Sequence, residues 1–160
     1  MLVLARALTY ATLFIALLLV IVPQRILAGA GIVWPAHIGV LQVIGAALFI
    51  AGMGLAVACV LTFAFVGRGT PAPFDAPRKL VVVGPYRWVR NPMYIGAGLA
   101  LLGAAIFYGS FGLALYTVGF WSMAHLFVLL YEEPVLRRQF GADYDAYAAT
   151  RRRWIPRWRS

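Results

Sequence analysis

Between Ile38 and Val66 the chain has no charged side chain and is apolar almost throughout. As a helix with a rise of ~1.5 Å per residue, this run is longer than the ~30 Å hydrocarbon core of a bilayer. Over the whole chain 63% of residues are apolar and 12% are charged, and the mean hydropathy is +0.85. These values are not those of an ordinary soluble domain, and they indicate that the membrane is the solvent of this protein.

Further apolar runs on both sides of this one predict four transmembrane helices in a single domain, 1–160. They fall at residues 7–27, 38–66, 94–108 and 111–131, with a loop at 67–93 and a tail at 132–160. Gly109-Ser110 leaves only a tight turn between the last two runs, which predicts an antiparallel hairpin. The small residues Ala28-Gly29-Ala30 resemble a signal cleavage site, so a secretory signal is the alternative for the first run. The predicted fold class is an all-α, polytopic membrane helix bundle.

The basic residues are distributed unevenly around these runs. Arg6, the loop and the tail hold all of them except Arg25, which lies at the opposite boundary. By the positive-inside rule both termini and the loop are cytoplasmic, in an inner or plasma membrane. The formal net charge of +9 does not indicate nucleic-acid binding, because the arginines border apolar spans. Attraction to anionic membrane lipids explains them better.

The tail has a helical period of its own. Leu136, Phe140, Tyr144 and Tyr147 recur at spacings of four, four and three. This period predicts one face of a cytoplasmic, C-terminal amphipathic helix that lies against the membrane or the bundle.

Glu132-Glu133 is the only adjacent acidic pair in the chain, and it follows the fourth predicted span. Neighbours on a helix point about 100° apart, so the two carboxylates cannot face one point equally. One could face a pocket while the other pairs with a loop arginine, Arg87 or Arg90. The alternative is a solvated helix boundary. If the helix ended near Pro134, however, two acids there would oppose its macrodipole, which suggests that another requirement placed them.

Two more polar positions are candidates. Asn91-Pro92 suits a helix start, with Asn as the N-cap and Pro at the first helical position. His125 lies inside the fourth span, near the helical face that also carries Trp121 and Glu132. An intramembrane ionisable residue is a functional candidate, and the alternative is a neutral histidine that is hydrogen-bonded inside the bundle.

The single cysteine and the metal-binding residue types give no further site. Cys59 lies within an apolar run, where it is predicted to be a small packing residue. No Cys, His, Asp or Glu grouping has the spacing of metal ligands, so no metal is predicted.

Several motifs follow one another in fixed order: Gly84-Pro85-Tyr86, Arg90-Asn91-Pro92-x-Tyr94-x-Gly96, Tyr131-Glu132-Glu133-Pro134, Phe140-Gly141-x-x-Tyr144-x-x-Tyr147 and Arg153-Trp154-Ile155-Pro156. Together they resemble the superfamily of isoprenylcysteine carboxyl methyltransferases and phospholipid methyltransferases. The resemblance covers about Gly67–Pro156. Gly52-Met53-Gly54 is similar to the Gly-x-Gly of the phosphatidylethanolamine methyltransferases, although small-residue packing between helices explains it equally well.

The resemblance implies methyl transfer from S-adenosyl-L-methionine to a lipid or another lipophilic acceptor. The implied catalytic candidates are Glu133, which could take a proton from an amine, Arg153, which could orient a carboxylate, and His125. Asn91 stands where the carboxyl branch usually has His, so both acceptor types stay open. The residues implied in cofactor binding are Gly52, Gly54, Tyr86, Arg90, Asn91, Pro92, Tyr94, Gly96, Glu132 and Glu133.

Two other functions remain as alternatives. Integral sterol and enone reductases, which use NADPH, have a similar loop, but Met93 and Ala97 replace an Asn and a Glu of that pattern. The second alternative is a membrane protein without catalytic activity that keeps the scaffold.

Overall fold

The computed structural model describes residues 16–35, 37–67 and 80–157, and every regular element within them is helical. This confirms the all-α prediction for the described part of the chain. Residues 7–15 of the first predicted span and 68–79 of the predicted loop lie outside it. The α-helices are α1 (Val22–Gly29), α2 (Val40–Thr62), α3 (Pro92–Tyr108), α4 (Phe111–Phe127), α5 (Glu133–Phe140) and α6 (Ala142–Thr150). Wider π-helical turns occupy Ala16–Ile21, Phe63–Gly67 and Val128–Glu132, and a 3-10 turn occupies Gly84–Arg87.

Two helical segments, Val40–Val66 and Phe111–Phe140, are long and apolar enough to cross a membrane. Two shorter apolar helices lie at Ala16–Gly29 and Pro92–Tyr108. The first long segment contains α2, and the second runs from α4 through a π-helical turn into α5. The count of four spans and the cytoplasmic position of the termini stay predictions.

Glycines set the close approach of α2 and α3, which pack antiparallel. A Cβ atom added to Gly52 would lie 2.5 Å from the Gly96 carbonyl oxygen and 2.5 Å from the Ala100 amide nitrogen. Seven residues away on each helix, a Cβ on Gly45 would lie 2.7 Å from the Gly103 oxygen. The two helix backbones therefore touch along this line, as small residues permit in membrane bundles.

Replacement of Gly52 by Ala is expected to destabilise the bundle by roughly 1–3 kcal/mol, because the new methyl group meets backbone atoms that cannot move aside. Gly54→Ala is the matched control, since nothing lies within 4 Å of a Cβ at that position. The measurement is the thermal midpoint of each variant in detergent. Equal midpoints for the two variants would contradict the close helix contact.

The hairpin between α3 and α4 is confirmed. Gly109 ends α3 in the left-handed conformation with φ 59°, and Ser110 caps α4 by accepting a hydrogen bond from the Leu113 amide. The third helix begins at Pro92, two residues before the predicted start of the span at Tyr94.

The fourth helix does not end near Pro134, so the condition under which the two acids would oppose a helix macrodipole is not met. Proline has no N–H to give to the Leu130 carbonyl, and the π-helical turn Val128–Glu132 comes just before it. The helical path then continues to Phe140. Glu132 and Glu133 consequently lie within a helical segment and do not stand at a helix C-terminus.

The predicted amphipathic helix of the tail is two helices. Gly141, with φ 51° and ψ −124°, breaks the path between α5 and α6. That conformation is available to glycine and strained for other residues. An exposed ion pair from Arg137 to Asp145, at 3.2 Å, joins the two helices.

Candidate functional site

The loop before α3 is held against the C-terminal segment by backbone hydrogen bonds. The Arg90 amide donates to the Arg152 carbonyl at 2.9 Å, and the Asn91 amide donates to the Arg153 carbonyl at 3.2 Å. The Asn91 side-chain amide also donates to the Arg153 carbonyl, at 3.4 Å, and makes no capping hydrogen bond. Asn91 thus holds the N-cap position of α3 and Pro92 begins the helix, as predicted, but the Asn91 side chain bonds to the tail and not to the first turn.

Glu133 is the centre of a buried ion cluster. Its carboxylate is 6% exposed and accepts two hydrogen bonds from Arg153, Nε to Oε1 at 2.6 Å and Nη2 to Oε2 at 2.9 Å. Arg90 Nη1 lies 3.1 Å from the same Oε1. The hydrogen bond to Glu133 raises the pKa of Arg153 above its ordinary value. The loop arginine that pairs with the acidic segment is thus Arg90, while Arg87 lies over the ring of Trp88.

Glu132 points elsewhere, as the helical geometry requires. Its Oε2 accepts a hydrogen bond of 3.0 Å from the Tyr94 hydroxyl. Among the described residues it has no cation partner, in contrast to Glu133. The adjacent acids therefore differ chemically: Glu133 pairs with two guanidinium groups, and Glu132 has the Tyr94 phenol as its hydrogen-bond partner within the described residues.

Two tyrosines of the tail, Tyr144 and Tyr147, contact the loop that precedes α3. Tyr147 donates from its hydroxyl to the Tyr86 carbonyl at 2.7 Å, and the buried Tyr144 accepts from Arg90 Nη1 at 3.2 Å. Burial raises the pKa of both phenols, so both are neutral at physiological pH. Tyr86 itself packs with Cys59 and Val81 in a buried cluster. The buried ring of Tyr86 fixes the loop against the bundle. Cys59 is buried in the same cluster, which confirms its predicted packing role.

Trp154 joins α3 and α4 at this end of the bundle. Its ring centroid lies 6.5 Å from Tyr94, 5.3 Å from Trp121 and 6.0 Å from His125. Its indole Nε1 donates to His125 Nδ1 at 3.1 Å. Trp121 can approach α3 closely because it packs over Gly98, where a side chain would occupy the place of the indole.

The glycine positions divide into two groups. Gly52 and Gly96 form the close contact between α2 and α3 that is described above. Gly54 is exposed on α2 with nothing beside it, so the structure does not bring it to the cluster.

A family model described as phospholipid methyltransferase matches residues 40–143. This chain belongs to the phospholipid methyltransferase family. No curated protein and no solved structure matched it in the same comparisons.

Membership in the phospholipid methyltransferase family implies methyltransferase activity in general, and it confirms the resemblance seen in the motifs. The matched region holds Arg90, Asn91, Tyr94 and both glutamates. It ends at residue 143, before the tail residues that complete the ion cluster and the aromatic group.

Among the residues that sequence reasoning left without a role, Tyr144, Tyr147 and Trp154 contact the site directly. All three belong to motifs of the tail, which is the signal that could have indicated them. The described residues contain no grouping that could hold a metal ion.

Proposed function

We propose that this member of the phospholipid methyltransferase family transfers a methyl group from S-adenosyl-L-methionine to a membrane-associated lipophilic acceptor, either an amine or a carboxylate. The reaction takes place at the cytoplasmic end of the bundle, where the basic loop and tail lie. The observation that carries the proposal is the Glu132 carboxylate, which Tyr94 holds beside the ion cluster and which has no cation partner in the described part of the chain.

The polar groups at this end of the bundle fit a ligand that has both signs of charge. The cofactor carries an ammonium group, a sulfonium and a carboxylate. Glu132 would bind the ammonium group, with Tyr94 fixing the direction of the carboxylate. Arg90 has a buried Nε that finds no hydrogen-bond partner within the described residues, and it is the donor best placed for an anionic group.

The other residues of the motif support this arrangement. Asn91 and Pro92 are buried at the start of α3, one turn or less before Tyr94, and would border the cofactor. Gly52 and Gly96 keep α2 and α3 in close contact. The buried Tyr86 fixes the position of the loop. The site would thus be formed by the loop, the first turn of α3 and the segment that begins at Glu132.

The cofactor supplies a methyl group that is already activated on a sulfonium, so the protein has to align the acceptor and keep water out. Both carboxylate oxygens of Glu133 bind guanidinium groups, so this residue connects Arg90 of the loop to Arg153 of the tail and has a structural role. Glu132, or a water molecule beside it, would therefore take the proton of an amine acceptor. A carboxylate acceptor has no proton to lose, and the half-exposed Arg153 would orient it.

Titration of the detergent-purified protein with S-adenosylhomocysteine is expected to give micromolar binding, because this product keeps the amino and carboxylate groups that the site would hold. Calorimetry measures the affinity, and NADPH is titrated in parallel. Binding of NADPH alone would replace the proposal by a reductase function. Binding of neither ligand would indicate a protein that does not use the site for catalysis.

A further inference from the structure

The hydrogen bond between Trp154 and His125 determines which nitrogen of the imidazole carries the proton. An indole N–H can only donate, so His125 Nδ1, which faces it at 3.1 Å, must be unprotonated. In the neutral ring the proton then lies on Nε2. Trp154 therefore acts as a positioning residue, and His125 offers an N–H donor on the side away from the indole.

The surroundings of His125 place this donor near the site and accessible from outside. His125 is exposed on α4, and its ring lies 6.0 Å from that of Trp154, which also contacts Tyr94. Tyr94 in turn holds Glu132. The residue before Trp154 is Arg153, the guanidinium that binds Glu133. The histidine is thus connected to both glutamates through short chains of contacts.

We infer that His125 donates from Nε2 to an anionic oxygen in the head group of the lipid acceptor, a carboxylate or a phosphate. This inference rests on the proposed function, since it names the part of the acceptor that the site recognises. A neutral donor costs less to keep on an apolar helix surface than a charged one. For an amine acceptor, this contact orients an oxygen of the head group and leaves the amine free to face Glu132; for a carboxylate acceptor, it adds a donor to that of Arg153.

Two ¹⁵N NMR measurements on histidine-labelled full-length protein in micelles test the inference. The chain has two histidines, and His37→Gln leaves His125 as the only signal. The resting spectrum is expected to show the Nε2–H tautomer. The Trp154→Phe variant, which keeps a ring and loses the N–H, should show a mixture of tautomers. A dominant Nδ1–H form in the wild-type residue would overturn the inference.

The second measurement adds lipid probes to the micelles. Oleic acid supplies the carboxylate, phosphatidic acid supplies the phosphate, and methyl oleate is the uncharged control. A shift of the His125 signal with oleic acid alone identifies a carboxylate, a shift with phosphatidic acid alone identifies a phosphate, and either supports the inference. A shift with both shows recognition of the shared oxygen chemistry. No shift with either, or the same shift with methyl oleate, overturns it.

Two variants give a matched affinity comparison. His125→Leu removes the donor and should weaken binding of the effective probe roughly 5- to 10-fold, as expected for loss of one hydrogen bond. His125→Gln keeps an oxygen for the Trp154 indole and an N–H for the probe, and should restore most of the affinity. Equal affinity in His125→Leu and wild type would overturn the inference.

Cofactor binding separates this inference from the proposed function. Binding of S-adenosylhomocysteine together with an unresponsive His125 would remove the head-group contact alone. A responsive His125 without cofactor binding would remove the methyl-transfer proposal and leave a site for anionic lipid.

Discussion

Replacement of Glu133 by Ala is expected to lower the free energy of unfolding by about 3–5 kcal/mol, the cost typical of breaking a buried ion pair from one side. Arg90, whose side chain is 10% exposed, would lose its carboxylate partner while remaining buried. Arg153 would lose both of its hydrogen bonds to the same group. The connection between the loop, the first turn of α5 and the segment at Arg153 would be lost with them. Reversible denaturation in mixed micelles measures the change.

An exposed ion pair on the same part of the chain is the control. Arg137 and Asp145 are 58% and 63% exposed in their side chains, and loss of such a pair by Arg137→Ala should cost at most about 1 kcal/mol. A double-mutant cycle with Glu133→Ala and Arg153→Ala isolates the coupling between the two buried partners. A loss in Glu133→Ala no larger than in Arg137→Ala would show that the cluster does not stabilise the fold.

The features that the sequence predicted correctly are those that local periodicity or turn chemistry decides. The helical class follows from long apolar runs, and the hairpin at Gly109-Ser110 follows from a glycine that takes a positive φ and a serine that caps the next helix. The divergence of Glu132 from Glu133 follows from the 100° step of a helix. Pairing of one of them with Arg90 was an open alternative that the structure decided.

At three positions the structure shows what the local residue preference alone does not indicate. Asn91 has the residue type of an N-cap, but its side-chain amide is used by the tail, which passes beside the loop. Pro134 commonly ends a helix, yet the π-helical turn before it lets the path continue. Gly141 reads as part of a regular helical period, and only the backbone angles reveal the break.

The site residues in the tail were difficult to assign for the same reason. Arg153 and Trp154 are separated from Glu133 and His125 by 20 and 29 positions along the chain. No periodicity connects residues so far apart across two short helices and a break. The motif order indicated that the tail belongs to the family pattern, but only the folded structure shows that Arg153 contacts Glu133 and that Trp154 contacts His125.

Replacement of Glu132 by Gln is expected to weaken binding of S-adenosylhomocysteine roughly 10- to 100-fold, the effect of losing one hydrogen bond to a charged group. The change keeps the size of the side chain and an oxygen for the Tyr94 hydroxyl, so the local packing is preserved. What is lost is the negative charge that would hold the ammonium group. Calorimetric titration measures the affinity.

Three further variants serve as comparisons for the affinity of Glu132→Gln. Asp145→Asn makes the same change of charge at an exposed position and should leave the affinity unaltered. Tyr94→Phe removes only the hydroxyl that steadies Glu132, so the loss should be smaller than in Glu132→Gln. Glu133→Gln should lower stability together with affinity, because its carboxylate acts through Arg90 and Arg153. Full affinity in Glu132→Gln would remove the ammonium-binding role.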